Sequence, residues 1–286
     1  MRIAIASGKG GTGKTTVAAN LSAILADQGR SPALVDCDVE EPNSHIFLAP
    51  AWEREERVMQ PVPIVRHEVC LGSDCRRCIE SCRFKALIWM GSEVMTFPEL
   101  CHGCGLCAEV CPADGIGWAE REVGLARNGA GRGVRSYGGL LRVGEPMAVP
   151  LIRAVKRMAE AEPLQIWDCP PGTACPAVAS LRDSDFVLLV TEPTAFGLHD
   201  LTLAVALVRG MKLPFGVVLN RAGMGDERVE RYLEKEGVAL LARLPHSREA
   251  ARAGADGRLL VEALPPMRAA YEELWRAVRE AREVLS

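Results

Sequence analysis

The sequence predicts an α/β fold: a parallel sheet flanked by helices, with a small α+β module inserted into it. Three observations predict this. The chain opens on a strand, a glycine-rich loop and a helix, over residues 2–28. Eight of its eleven cysteines fall between Cys70 and Cys111. From about Val149 onward, buried-strand runs alternate with helix-length runs. The first and third are the pattern of βαβ winding. The second, in a chain with no secretory layout, points to metal rather than to disulfides.

With 286 residues, 48% of them hydrophobic, the chain can build one large domain or a medium one plus a small one, and the composition favours a sizeable core over long disorder. A formal net charge of −3 lacks the basic excess of a nucleic-acid binder. No apolar run approaches the ~20 residues of a membrane span. Met1–Ser7 leads directly into a motif, without the layout of a signal peptide. The expectation is a soluble cytoplasmic protein with no nucleic-acid partner and no stable membrane association.

In chain order, Arg2–Ser7 reads as a short buried strand. Lys14–Gln28 reads as a helix, because Val17, Ala18, Leu21, Ile24 and Leu25 recur at helical spacing and Gly29 supplies a stop. Pro32–Asp38 reads as a second buried strand. The pattern then breaks, since residues 50–63 are punctuated by prolines and charge. The cysteine-rich stretch follows. Residues 124–144, rich in glycine and carrying Arg127, Arg132, Arg135 and Arg142, read as a mobile return loop. Beyond it, Leu151–Ala159, Leu198–Arg209 and Asp226–Glu236 read as helices. Leu164–Asp168, Phe186–Val190 and Phe215–Asn220 read as buried strands. The last helix, from about Pro266, sets Met267, Tyr271, Leu274, Trp275, Val278 and Leu285 on one stripe. Such a stripe could lie on a membrane surface, but its opposite face mixes acids and bases, which favours packing on the sheet. The architecture expected is one α/β domain in two parts, 1–60 and 119–286, interrupted by an insert at 61–118.

Gly8-Lys9-Gly10-Gly11-Thr12-Gly13-Lys14-Thr15-Thr16 satisfies G-x-x-x-x-G-K-[ST] in the strand-to-helix context that this phosphate-loop pattern needs. The glycines let backbone N–H groups approach phosphate oxygens, and the helix start adds partial positive charge. In such a loop Lys14 contacts the β- and γ-phosphates and the Thr15 hydroxyl ligates Mg²⁺. ATP or ADP with Mg²⁺ is therefore expected. Asp38, ending the second strand beside the loop, is well placed to orient or activate a water.

Cys101-x2-Cys104-x2-Cys107-x3-Cys111-Pro112 matches the bacterial ferredoxin run, in which three thiolates hold one [4Fe–4S] cluster and the fourth cysteine serves the other. A second set precedes it. A shift of 29 residues carries Cys75, Cys78, Cys82 and Trp89 onto Cys104, Cys107, Cys111 and Trp118. This internal duplication predicts a crossed partition: Cys70, Cys75, Cys78 and Cys111 for one cluster, and Cys101, Cys104, Cys107 and Cys82 for the other. The first set departs from the pattern twice, with Cys70-x4-Cys75 and with Arg83 where proline is usual. If one cluster is labile or reduced to three irons, it should be this one. Four-cysteine zinc sites exist, but two intertwined runs of this spacing disfavour zinc.

Lys9 adds a further feature. The loop resembles the deviant Walker A family, K-G-G-x-x-G-K-[ST], which includes MinD, ParA, the nitrogenase iron protein and Mrp-type cluster carriers. The resemblance implies that Lys9 reaches across a nucleotide-sandwich homodimer to the partner's phosphates, so that ATP binding promotes dimerisation. It implies that Asp38 is the switch I aspartate. Asp168-Cys169-Pro170-Pro171-Gly172 resembles the family's D-x-P-P-G switch II, with Asp168 on a Mg²⁺-bound water and the Gly172 N–H sensing the γ-phosphate. Asn220 resembles its adenine-reading asparagine. Taken whole, the chain resembles MinD-superfamily ATPases that carry an inserted two-cluster ferredoxin domain. Of the remaining cysteines, Cys37, Cys169 and Cys175, the last sits seven residues after Asp168, like one bridging cysteine of the nitrogenase iron protein. Lacking a match for the second, Cys175 is expected to be a buried structural thiol.

The function expected is ATP-gated electron delivery through two [4Fe–4S] clusters to a redox or metallocluster-assembly partner, with nucleotide state moving a segment that flanks the switches. The alternative is an ATP-dependent scaffold or carrier that passes clusters or metal to a client. A ParA/MinD-type positioning ATPase is disfavoured by the cysteine insert, and a cobyrinate-type amide synthase by the lack of room for a glutaminase domain.

Overall fold

The computed structural model describes residues 1–285. In chain order the elements are β1 (Arg2–Ala6), α1 (Lys14–Asp27), β2 (Ala33–Asp36), α2 (Ser44–Leu48), β3 (Ala51–Val65), α3 (Arg77–Ser81), β4 (Leu87–Met90), β5 (Glu93–Thr96), α4 (Leu106–Glu109), β6 (Ile116–Gly131) and β7 (Val134–Leu141). There follow α5 (Val149–Met158), β8 (Gln165–Asp168), α6 (Cys175–Leu181), β9 (Phe186–Thr191), α7 (Ala195–Gly210), β10 (Phe215–Ala222), α8 (Arg228–Glu236), β11 (Leu240–Pro245), α9 (Arg248–Ala255), α10 (Leu260–Ala263) and α11 (Pro265–Leu285). The chain divides into two compact units. The first comprises Met1–Glu56, Leu125–Leu140 and Leu151 onward; the second comprises Arg57–Gly124 and Leu141–Pro150.

The large sheet runs in the order β11-β10-β9-β1-β8-β2-β7-β6-β3, and the pairings from β11 through β7 are parallel. In the first unit, both faces of β1, β8 and β9 are covered, so Ile3–Ile5, Ile166–Trp167 and Phe186–Val190 are near-continuous apolar runs. One core cluster joins Ile3, Ile5, Ile166 and Leu188 to Val17, Leu21 and Ile24 of α1 and to Tyr271, Leu274, Trp275 and Val278 of α11. The terminal helix therefore packs on the sheet, as its mixed polar face predicts. Leu285 falls off the buried stripe and is 52% exposed.

Two stretches differ from the sequence reading. Residues 50–63, expected to be broken, lie almost wholly in β3 (Ala51–Val65), at the end of the sheet order. An edge strand tolerates prolines whose missing donors face away from the ladder, and Pro61 and Pro63, two residues apart, both remove donors from the same side. Residues 124–144, expected to be a mobile loop, lie mostly in β6 and β7. Arg132 (φ +50°) and Gly133 (φ +73°) make the two-residue turn between them, the backbone of a type I′ hairpin. The glycines nearby serve close approach rather than mobility: a Cβ on Gly129 would stand 2.2 Å from the Ala51 carbonyl oxygen, and one on Gly131 2.2 Å from that of Leu48.

The second unit is wider than the 61–118 insert expected. It holds the β4–β5 antiparallel hairpin, α3 and α4. Its apolar core is small: Val65, Leu87, Val94 and Ile116 around Cys107, with Val62 and Ala86 against Cys101. Arg121 and Glu145 form a buried ion pair within it.

Candidate nucleotide site and cysteine cavities

The turn Ser7–Gly13 joins β1 to α1. Because β8 and β2 follow β1 in the sheet, with Ile5 beside Asp168 and Asp168 beside Asp36, the carboxyl ends of these strands bring the loop, Asp168 and residues 36–38 together. Open α/β sheets hold ligands in this crevice. Gly11 (φ +78°) and Gly13 (φ +95°) occupy the left-handed region, and a Cβ on Gly10 or Gly11 would meet nothing within 4 Å. The loop thus offers bare backbone facing open space. Gly8 is needed where α7 comes close, since its Cβ would stand 2.1 Å from the Asp200 carbonyl oxygen. The N-cap of α1 is Gly13, which has no side chain to cap the helix, so the first N–H groups, those of Lys14, Thr15 and Thr16, remain for an anion.

Three buried polar groups here lack a protein partner. Lys14 is 6% exposed, and its ammonium makes no hydrogen bond or ion pair among the described residues. Asp168 is 1% exposed with neither carboxylate oxygen hydrogen-bonded, and the Thr12 hydroxyl is likewise unpartnered. Burial pushes the Asp168 carboxyl well up, Asp36 pushes it further, and the nearby Thr15 hydroxyl and Lys14 ammonium oppose this only in part. A buried cation and a buried carboxylate in one crevice fit a Mg²⁺–nucleotide, with phosphate for the one and the metal or its water for the other.

Asp38 is half-buried, and its carboxyl is pushed up to about 6, by burial first and then by Asp36, against the charge of Lys14. Asp36, to which the sequence reading gave no role, accepts the Asp38 and Ser44 amides at 3.1 Å each and so fixes the path of the chain through Asp38. The Gly172 N–H (φ +87°) donates to the Ser7 carbonyl at 3.0 Å, linking the turn after β8 to the loop. Asn220, at the end of β10, donates Nδ2 to the Thr12 carbonyl at 2.8 Å while its Oδ1 accepts the Arg221 amide at 2.9 Å. In this arrangement it braces the loop. Arg221 donates Nη2 to the Gly11 carbonyl at 3.0 Å. Lys9 lies 2.8 Å from Glu192 Oε1 and over the Phe196 ring. Glu192 and Arg221 escaped the sequence reading because their roles depend on partners distant in the chain.

In the second unit the eight cysteines wall two cavities. One is lined by Cys70, Cys75, Cys78 and Cys111, the other by Cys82, Cys101, Cys104 and Cys107. The grouping is the crossed one that the spacing predicts. The extra residues of Cys70-x4-Cys75 are taken up by a 3-10 turn at Gly72–Asp74, and Cys70 keeps its place. The 29-residue duplication is visible in the backbone. Arg76 (φ +50°) and Gly105 (φ +81°) are equivalent N-caps, and Lys85 (φ +56°) and Asp114 (φ +49°) are equivalent left-handed residues. The Ala86 amide donates to Cys82 Sγ at 3.3 Å, as the Gly115 amide does to Cys111 Sγ at 3.1 Å.

Burial pushes up the thiols of Cys78, Cys101 and Cys107, the last to about 11, and neighbouring thiols of the same cavity add to the effect. Were these thiols to ionise together, a positive centre between them would offset their repulsion. Among the described residues no three His, Cys, Asp or Glu side chains form a group that could hold one metal ion. Thiols spaced around a cavity wall suit a multi-iron core better than a zinc ion, whose ligands would close to ~2.3 Å of a single point. Cys37 and Cys169 are buried, whereas Cys175, expected to be buried, is exposed at the start of α6.

A family model described as the CobQ/CobB/MinD/ParA nucleotide-binding domain matches residues 3–261. An uncharacterized protein of Methanocaldococcus jannaschii is 30% identical over 232 residues, covering 79% of this chain and 80% of its own. An iron–sulfur cluster carrier protein of Pyrococcus furiosus is 22% identical over 278 residues, covering 85% of this chain and 73% of its own. The septum site-determining protein MinD of Pyrococcus horikoshii, solved with Mg-ADP, shares the fold with a TM-score of 0.61 at 20% identity, over 100% of this chain and 98% of that one. No helix is long and apolar enough to cross a membrane among the described residues. With the phosphate loop at the strand ends of a parallel sheet and the family match spanning both sides of the cysteine-rich unit, the chain belongs to the CobQ/CobB/MinD/ParA family of P-loop nucleotide-binding proteins.

Proposed function

We propose that this protein is an ATP-dependent iron–sulfur cluster carrier that holds two [4Fe–4S] clusters, one in each four-cysteine cavity. The observation that carries the reading is the pair of cavities walled by crossed cysteine sets, on the same chain as a phosphate loop. It is supported by relatives named as cluster carriers that align over most of this chain at 22–24% identity. Lys14 and the amides of Gly10–Thr16 would hold the phosphates, and Thr15 and Asp168 the Mg²⁺. Mg²⁺ would offset charge on the phosphate oxygens. Asp38 would accept a proton from water, a role its raised carboxyl suits. Lys9 would serve the phosphates of a second copy in an ATP-bound homodimer, and the turn carrying Gly172 would report the terminal phosphate.

A second reading, electron delivery to a redox or metallocluster-assembly partner, is favoured by the unbroken ferredoxin spacing of Cys101–Cys111. One experiment separates the two. The anaerobic chain is loaded with iron and sulfide, mixed with an apo-ferredoxin in MgADP or MgATP, and re-isolated for iron counting. The carrier reading expects iron to move to the acceptor at a nucleotide-dependent rate. Iron that stays on the chain in both nucleotides, with a reduction potential that differs between them, supports electron delivery instead. A chain that retains no iron overturns both.

A further inference from the structure

Glu192 lies between β9 and α7, in a bend fixed by its own backbone. The Thr194 amide donates to the Glu192 carbonyl at 2.8 Å. Gly197 packs so closely that a Cβ there would stand 2.3 Å from the same oxygen. The backbone there is fixed, and the carboxylate it carries is buried, its side chain 9% exposed. Each oxygen faces one cation: Oε1 the Lys9 ammonium at 2.8 Å, and Oε2 the Arg221 guanidinium at 2.7 Å. Burial would raise this carboxyl, but the hydrogen bond and charge of Lys9 and the charge of Arg221 prevail and hold it low. Arg221 is itself anchored, on the Gly11 carbonyl. Lys9 rides on the glycine-rich loop and has no second anchor of this kind, its side chain 31% exposed against 44% for Arg221.

A lysine on a phosphate loop has a natural anionic ligand, the nucleotide. Here it already has another, a carboxylate of its own chain. The two anions compete for one ammonium, and a ligand shifts such an equilibrium only by its differential affinity for the two positions. A terminal phosphate adds charge that a diphosphate lacks. We propose that Glu192 is a positioning residue that holds Lys9 on its own subunit until the terminal phosphate of ATP, on the same chain or on a second copy, draws the ammonium away. This deepens the nucleotide-binding reading above and rests on it. Glu192 then sets the preference for ATP over ADP by opposing ATP alone.

The test uses the full-length, iron-loaded chain under anaerobic conditions, with Mg²⁺ and either ADP or a non-hydrolysable ATP analogue. Binding is measured by calorimetry for the unaltered chain, Glu192→Gln, Glu192→Asp, Lys9→Ala and the Lys9→Ala/Glu192→Gln double variant. Glu192→Gln should raise the analogue-to-ADP affinity ratio about five-fold, the scale of losing a partly buried charge-assisted hydrogen bond. Glu192→Asp, which keeps the charge, should restore most of the original ratio. In the Lys9→Ala background the Glu192→Gln change should leave the ratio unmoved. A merely structural role, acting through Arg221 and the loop, predicts the same change whether or not Lys9 is present. That result, or an unchanged ratio in Glu192→Gln, overturns the proposal while leaving nucleotide binding intact. If the unaltered chain binds neither nucleotide, the nucleotide reading fails and the proposal with it.

Discussion

Asp168→Asn should stabilise the nucleotide-free protein while abolishing its response to Mg²⁺–nucleotide. Asp168 is 1% exposed, neither of its oxygens is hydrogen-bonded, and Asp36 stands beside it on the neighbouring strand. Its folded-state carboxyl is raised well above the ordinary 3.8, by burial first and by Asp36 second. A raised carboxyl binds its proton more tightly folded than unfolded. Its contribution is therefore most favourable in acid and is lost as pH rises from about 4 through the folded value. At pH 8 the unpaired carboxylate should destabilise the fold by about 1–3 kcal/mol, the usual cost of an unsatisfied buried group. Removing the charge should then raise the apparent Tm by about 2–6 °C for a chain of this size. Scanning calorimetry across pH 5–8 reads this directly. The advantage of Asp168→Asn should be largest at pH 8 and shrink toward pH 5. Saturating MgADP should raise the Tm of the unaltered chain and scarcely move the variant. A variant less stable than the parent at pH 8, or one equally stabilised by MgADP, would refute the assignment of Asp168 as an acid left unpaired for a metal or its water.

The crossed cavities predict that Cys82→Ala empties the site of Cys101, Cys104 and Cys107, whereas Cys111→Ala empties that of Cys70, Cys75 and Cys78. In each case iron should fall from about eight to about four per chain, or to about seven if a three-iron cluster survives; loss of the other cluster, read by electron paramagnetic resonance, would contradict the partition. Asp38, pushed up to about 6, should place an acid limb near that pH in kcat/KM for ATP hydrolysis, with activity rising as the carboxylate forms. Asp38→Asn should remove both the limb and the turnover, and a limb surviving in the residual activity would assign it elsewhere. At the duplicated N-caps, Gly105→Ala meets no atom within 4 Å and should cost only its left-handed backbone, about 1–2 kcal/mol. Arg76→Gly relieves the equivalent strain but loses the Arg76–Trp89 contact, so urea unfolding should put it within about 1 kcal/mol of the parent.

What was legible in the sequence was local or periodic. The phosphate loop announces itself because glycines, Lys14 and the flanking strand and helix are contiguous. The crossed thiol sets were legible because duplication leaves a fixed shift, which the backbone at Arg76 and Gly105 repeats. The misread stretches have one cause: a residue whose usual meaning was replaced by a tertiary one. Pro61 and Pro63 read as breaks, yet an edge strand has a side on which donors are not needed. Gly129 and Gly131 read as flexibility, yet they stand where carbonyls of residues 48–51 come too close for a Cβ. Cys175 read as buried because a second bridging cysteine had no match, yet it is exposed at the first position of α6. Glu192 and Arg221 were invisible for a different reason, because a carboxylate shared between Lys9 and Arg221 leaves no mark on spacing or periodicity.

The carrier and relay readings differ in what they ask of the second unit. Its apolar core is little more than Val65, Leu87, Val94 and Ile116, and Cys107 is part of it. A core this small supplies limited stability, so clusters bound as proposed would hold much of the fold. A relay never empties its cavities and meets no conflict. A carrier does, and the crossing sharpens the conflict, because the loop that fills one cavity also supplies the fourth thiol of the other. Releasing both clusters at once would leave neither run anchored. A carrier built this way must therefore deliver from one cavity while the other stays filled. The cavity with a solvent-exposed thiol, Cys104, is the one an acceptor's thiolate can reach first. Iron leaving in a single step of about four per chain, with the remaining cluster bound and the second unit still protected from protease, is the behaviour that fits delivery; loss of all iron with concurrent unfolding fits a relay damaged rather than a carrier at work.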